Sequence, residues 1–376
     1  MNHQTLEQRI EQLSTSGVRI VDPRQIYVGD DVDVSRISAG VVLHPGTRLH
    51  GKSTWLGRGV EIGTEGPATV VDSVFDDFSK IASGYVCGAV LLRKASLGAN
   101  AHVRPGTLME EEASTAHAVG LKQTVLMSFV TLGSLINFCD CLMAGGTSRK
   151  DHAEVGSGYI HFNYTPWGKS GDKATPSLIG DVPRGVFLRE RRIFLGGAGG
   201  LVGPAKVGFG AIAGAGQVVR NGVSDGHLLL QPIHAIDRQV DFGRLGPVEP
   251  RARKNVLYIG NLFALRTWYA QVRLPMCEKY REPVVKAAIA LLDASITERV
   301  VQLDRFAQER GWPPIEIEFC SVTPCPFSLE PAVADHVSWV RSLSSEQVTE
   351  GVAWLDGIVA GCSMKSAGNL SATGAP

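Results

Sequence analysis

Aliphatic residues recur along this chain at intervals of six. The clearest run is Leu195, Leu201, Val207, Ala213 and Val219, with Gly196, Gly208 and Gly214 directly behind three of them. Leu43 and Leu49, Leu56 and Ile62, Leu97 and Val103, then Leu126, Leu132 and Phe138 keep the same interval, and Gly57, Gly63, Gly98 and Gly133 again follow an aliphatic residue. A period of six suits neither a helical stripe nor a heptad. It suits a coil with three short flat faces, in which each face takes one hexapeptide, the aliphatic residue points inward and a small residue turns the corner. Stacked at the strand spacing of about 4.8 Å, such turns form parallel ladders around a continuous apolar core. A β-sandwich would instead alternate by two, with strands of varied length. The pattern therefore predicts a mainly β protein, a single-stranded parallel β-helix. Three stretches lose the beat and are expected as projecting loops, Met109 to Lys122, Ala144 to Glu154 and Asn163 to Ser177.

The ends follow another period. Leu6, Ile10 and Leu13 predict an amphipathic helix within Met1 to Ser16 that caps the first coil. After Gly246-Pro247 glycine becomes scarce and helical spacing takes over. One helix is expected over Val256 to Val272, with Leu262, Leu265 and Tyr269 on its stripe and Pro275 ending it. Pro283 starts another, Val284 to Arg310, whose buried stripe is Ala288, Leu292, Ile296 (or Ser295), Arg299 and Leu303. Ser344 and Gln347 form a capping box for a third that ends near Gly361. The expected organisation is thus a cap over residues 1–20, a β-helix over 21–246, a helical region over 247–362 and a disordered tail over 363–376.

Composition narrows the function. The 376 residues carry 37 basic and 37 acidic side chains, so no global field recruits nucleic acid or an anionic membrane. No uncharged apolar run is long enough to cross a bilayer and none has the form of a signal peptide, which leads to the expectation of a soluble, cytoplasmic protein without membrane insertion. The seven cysteines include no CxxC pair, so reduced thiols are expected and no metal.

Against this background one stretch carries specific motifs. Arg104-Pro105-Gly106 is followed by Val119-Gly120-Leu121-Lys122, by Leu132-Gly133-Ser134-Leu135-Ile136-Asn137-Phe138-Cys139-Asp140, by Asn163-Tyr164 and by Ile179-Gly180-Asp181, with Gly208 to Gly216 beyond. In order and approximate spacing this resembles the acetyltransferase domain of the bifunctional glucosamine-1-phosphate acetyltransferase/N-acetylglucosamine-1-phosphate uridylyltransferase. That family, of the hexapeptide-repeat acyltransferase superfamily, has Arg-Pro-Gly, Val-Glu-Met-Lys-Lys, Ala-Gly-His-Leu-Thr-Tyr-Leu-Gly-Asp, Asn-Tyr-Asp-Gly and Ile-Gly-Asp. The resemblance implies a left-handed coil, a homotrimer with sites between subunits, acetyl-CoA or another acyl-CoA as co-substrate, and a sugar phosphate or sugar nucleotide as ligand. By it, Arg104 and Lys122 would hold the phosphate, a planar fork beside a point charge. Asn163 and Tyr164 would bind the sugar or position its amine, with Lys169 or Lys173 as the following lysine. Gly197, Ala213 and Gly214 would line the acyl-CoA. Nothing in Met1 to Arg48 resembles that family's glycine-rich nucleotidyltransferase signature, so uridylyltransferase activity is not expected.

The departures bear on the chemistry. Ser134 stands where the family has its base histidine, Asn137 where it has a tyrosine, Glu154 where it has an asparagine and Gly197 where it has a serine. A lone hydroxyl does not accept an amine proton at neutral pH. His161 is the candidate replacement base, since alternation along a strand sets it on the side of Asn163, and Glu154 or His152 would orient it. Two functions follow as expectations: acyl transfer from CoA to the amine of a phosphorylated or nucleotide-linked sugar, or binding of the same ligand without catalysis.

Overall fold

The computed structural model describes residues 4–163, 175–231, 248–329 and 335–365. The six-residue beat folds as expected into a parallel β-solenoid of about 11 turns, with a helix before it and helices after it. Eleven strands stack in parallel on the first face, from Arg19–Ile20 to Leu228–Leu229. On the second face run Tyr27–Val28, Arg48–His50, Ala68–Val71, Gly84–Cys87, Ala101–Val103 and their successors, and on the third Trp55–Leu56, Val74–Phe75, Ala89–Leu91 and Thr107–Met109. Gly120–Leu126 and Asn137–Met143 cross the corner between these two faces and join them into one sheet. The register stacks the inward residues in columns, such as Leu49, Val70, Val86, Val103, Leu121 and Phe138 on the second face, all fully buried.

Met109 to Lys122 does not project, contrary to expectation. It forms a regular turn through Ser114–Thr115 and the start of Gly120–Leu126. The beat was masked because Thr115 takes an inward place, paired with Leu132, that an aliphatic residue holds elsewhere. Ala144 to Glu154 does leave the coil, as the antiparallel hairpin Gly146–Ser148 with Asp151–His152. Of Asn163 to Ser177, residues 164–174, and with them Tyr164, Lys169 and Lys173, lie outside the described residues.

The first helix, α1 (Leu6–Thr15), is capped by Thr5 and Gln8 and buries Leu13. A short helix, α2 (Val182–Gly185), interrupts the coil. The helical region opens with α3 (Val248–Trp268), which starts earlier than its sequence pattern suggested and does not stop at Pro275. A π-helical turn, Tyr269–Arg273, carries it into α4 (Leu274–Met276). The wider turn accommodates the proline ring, and the thiol of Cys325 points to the Gln271 carbonyl that the proline cannot meet (3.8 Å). Pro283 lies at the start of α5 (Glu282–Gln308), and Ala288, Leu292, Ser295, Ile296, Arg299 and Leu303 are all buried as the stripe predicted. After α6 (His336–Ser342), unpredicted, comes α7 (Ser345–Ala360), with the capping box of Ser344 and Gln347 in place. Beyond it Ser363–Met364, expected in a disordered tail, pairs with Ile317–Glu318, and residues 366–376 lie outside the described ones. Among the described residues no helix is long and apolar enough to cross a membrane.

These helices cover the third face. Every residue of Ala89–Leu91 and Thr107–Met109 is buried, whereas Ala101–Val103 on the second face keeps His102 exposed and Ile160–Phe162 keeps both flanks exposed. The seam is ionic as well as apolar. Arg273, at the end of the π turn, meets Glu111 at 2.6 and 3.0 Å and Glu110 at 3.5 Å, while Tyr269 donates to Glu110 at 2.8 Å. Arg281 pairs with the fully buried Asp76. Burial opposes ionisation of Glu111, yet the Arg273 guanidinium holds its carboxyl down at about 2. Burial pushes Glu110 up, with Arg273 opposing.

Removing one partner of such a pair strands the other without water. Arg273→Leu is expected to destabilise the protein by about 3–5 kcal/mol in urea or thermal unfolding. Arg253→Ala, which breaks the exposed pair with Glu249, should cost under about 1 kcal/mol. Similar small losses in both variants would show that the seam is not held by these charges.

Candidate functional site

The uncovered second face carries most of the residues singled out for substrate. Lys122 is in register with Cys139, and the guanidinium of Arg104 donates from Nη2 to the sulfur of Cys139 at 3.3 Å. Asn137, two residues before on the same side, is exposed and accepts from the Cys139 thiol at 3.6 Å. Two cations and an amide thus share one patch three rungs tall. Burial raises the Cys139 thiol pKa, against the pull of Arg104 and Lys122, so the sulfur stays a neutral spacer between them. At the far corner Asn163 donates to Asp140 at 3.4 Å, and Asp140 pairs with Arg299 of α5 at 3.1 Å. Arg299 is 4% exposed, so a helix outside the coil anchors the corner at which the candidate sugar-binding residue sits.

The three catalytic candidates do not converge. Ser134 lies at the corner between the first and second faces, its hydroxyl 2.9 Å from that of Ser157. Glu154 is on the first face, with His152 at 3.6 Å, and away from His161. His161 occupies an inward place, after Phe138 and before Leu201, and is 2% exposed. Asn163 lies past the end of that strand, so the alternation read from sequence does not bring the two together. His161 Nδ1 donates to the Cys139 carbonyl, which leaves Nε2 to accept from the Ser177 hydroxyl at 2.9 Å. Burial pushes its pKa down to about 4, and the ring is neutral at pH 7.

Two of the co-substrate candidates, Gly197 and Gly214, share a ridge with Ser134, whereas Ala213 points into the core. Gly197 follows the first-face strand Phe194–Leu195, and a Cβ there would meet the Ser157 carbonyl at 2.7 Å, so this corner admits only glycine. Gly214 follows the inward Ala213 one rung on. Sequence reasoning passed over Cys139, Asp140 and Arg299. The available signal was Arg299 itself, a charge on an otherwise apolar helical stripe. Among the described residues no cluster of three or more His, Cys, Asp or Glu is arranged to hold a metal.

A hexapeptide coil with paired cations on its open face defines the class: the chain resembles the hexapeptide-repeat acyltransferase superfamily. Its particular relatives are proteins named bifunctional protein GlmU. Identity is 31% over 225 residues with that of Fervidobacterium nodosum, 29% over 224 with that of Thermotoga sp. (strain RQ2) and 29% over 221 with that of Paenarthrobacter aurescens. The matches cover 60%, 59% and 59% of this chain but 44%, 44% and 39% of those proteins, so the chain spans less than half of the curated relatives it matches. No protein-family model matches the chain.

The buried imidazole makes stability depend on pH. The unfolded chain takes up the His161 proton below its ordinary value of 6.5, the folded one only below about 4. Its contribution is therefore complete above pH 6.5 and is lost as pH falls towards 4, at up to about 1.4 kcal/mol per unit. His336, also pushed down by burial, acts with the same sign. Melting temperature should thus drop between pH 6.5 and 4, and His161→Gln should flatten the drop without abolishing it. An unchanged slope would mean that His161 is protonated alike in both states.

Proposed function

We propose that this chain binds a phosphorylated amino sugar on the second face of its coil and transfers an acyl group to the sugar amine from acetyl-CoA or a related thioester. The observation that carries the reading is the pair Arg104 and Lys122 on adjacent rungs around Cys139, with Asn137 beside them and Asn163 at the corner. A phosphate takes a fork and a point charge together, and the Asn163 amide suits a sugar hydroxyl. The ridge of Ser134, Gly197 and Gly214 borders the same face and would receive the thioester. In the transfer, nitrogen bonds to the acyl carbon, the C–S bond breaks, and the proton lost by nitrogen ends on the departing thiol. Among the described residues nothing stands opposite the open face, which supports the trimer that the resemblance implies.

The second reading, binding without transfer, is favoured by one observation. Ser134 replaces the family's base, and His161 is enclosed, neutral and weakly basic. A base with a pKa near 4 takes a proton from an amine poorly at pH 7.

Incubation with acetyl-CoA and glucosamine 1-phosphate, following free thiol, separates the two. Acyl transfer predicts thiol release that requires both compounds, with Arg104→Gln raising KM for the sugar phosphate by about tenfold or more and changing kcat less. Calorimetric binding of glucosamine 1-phosphate without thiol release would leave the second reading. If that compound neither binds nor reacts, both are excluded.

A further inference from the structure

The outward row beside the two cations contains a gap. In register along the second face stand Tyr85, His102, Gly120, Asn137 and Ile160. Tyr85 and His102 stack on each other, ring centroids 5.5 Å apart and planes 24° from parallel. The next rung, about 4.8 Å on, is Gly120, and the one after it is the exposed amide of Asn137. A ladder of flat side chains thus misses one member.

Other glycines of this face have local reasons to be glycine. Gly84 has φ +123, and a Cβ there would lie 2.1 Å from the Ala101 carbonyl oxygen; at Gly200 a Cβ would strike the Phe162 ring at 2.4 Å. Gly120 is not among the glycines of positive φ, and the nearest atom to a Cβ would be Asn137 Oδ1 at an ordinary 3.5 Å. Neither backbone nor neighbours ask for glycine there, and glycine within a strand weakens it. The resembled segment, Val-Glu-Met-Lys-Lys, carries a glutamate at this place, so the gap also removes a carboxylate from beside Lys122.

We propose that the gap over Gly120 is a slot for the base of a nucleotide, so that a sugar phosphate held at Arg104 and Lys122 is preferred in its nucleotide-linked form. The inference rests on the sugar-phosphate reading above and names its substrate class. A planar base over Gly120 completes the ladder, with the His102 ring on one side and the Asn137 amide on the other. Asn137 Oδ1 already accepts from Cys139, which leaves Nδ2 free to donate to a base edge. Two residues along the same strands, about 6.6 Å away on the same side, Arg104 and Lys122 receive the phosphates. Asn163 lies beyond them for the sugar. Base, diphosphate and sugar thus follow the order of the residues across the face.

Calorimetry on the full chain with UDP-N-acetylglucosamine and N-acetylglucosamine 1-phosphate tests this, because the two differ by the nucleoside monophosphate alone. The nucleotide form is expected to bind at least tenfold tighter. Gly120→Leu, which fills the slot, should bring the ratio of affinities to within threefold of one while melting no lower than the parent protein. His102→Ala, which removes one wall, should lower the ratio as well and serves if the leucine variant does not fold. Equal affinities in the parent, or a ratio unmoved in both variants, would overturn the slot and leave sugar-phosphate binding standing. Absence of binding by either compound would overturn the underlying reading and the slot with it.

Discussion

Each turn of this coil must set its inward residue on the one before, at the pitch of a parallel ladder of about 4.8 Å. That constraint converts sequence into columns. Residues one turn apart become neighbours, whether they are the valines and leucines inside or Tyr85, His102, Gly120 and Asn137 outside. The core follows from it, and so does the chemistry, since Arg104, Lys122 and Cys139 meet only because three turns keep register. The inward column of the second face is apolar except at His161. There the ring satisfies both nitrogens internally, with the Cys139 carbonyl and the Ser177 hydroxyl, and a polar group is accepted within the stack.

A flat-faced coil also has to decide which faces see water. The helices settle this for the third face. Its outward residues Val90, Leu108, Val125 and Leu142 are apolar and buried under the helical region, and Asp76, Glu110 and Glu111 along its edge are neutralised by Arg281 and Arg273. Buried pairs of this kind add little net stability over apolar packing, but they penalise any misplacement of the helices. Arg299 applies the same device at the other edge of that face. Through Asp140 it fixes the corner from which Asn163 reaches the open second face, and the helical region becomes part of the site without entering it.

The repeat was legible because every rung must bury an aliphatic residue, and the buried stripe of α5 was legible for a like reason. Where the reading failed, a local substitute was at work. Thr115 held an inward place without an aliphatic side chain, so a regular turn looked like a loop. A π turn carried a helix through Pro275, where spacing alone implies a stop. Alternation sets His161 on the side of Asn163 only while the strand runs, and it ends at Phe162, with His161 turned inward. The candidate site was legible only as a list. Which residues share a face depends on turn length, and insertions such as the hairpin at Gly146–Ser148 change that length without leaving a mark in the six-residue beat.

The departures from the resembled motifs fall on one face and act in two directions. Ser134 and Asn137, in place of a histidine and a tyrosine, remove reactive side chains from the corner proposed to receive the thioester. Gly120, in place of a glutamate, opens space and removes negative charge next to the cations. Here Arg104 and Lys122 remain, held against Cys139, and Asn163 remains, braced through Asp140 by a buried arginine. On the proposed reading, the cations and Asn163 bind while the proton-transfer groups of the resembled motifs are absent, which is what a change of ligand on the same wall requires.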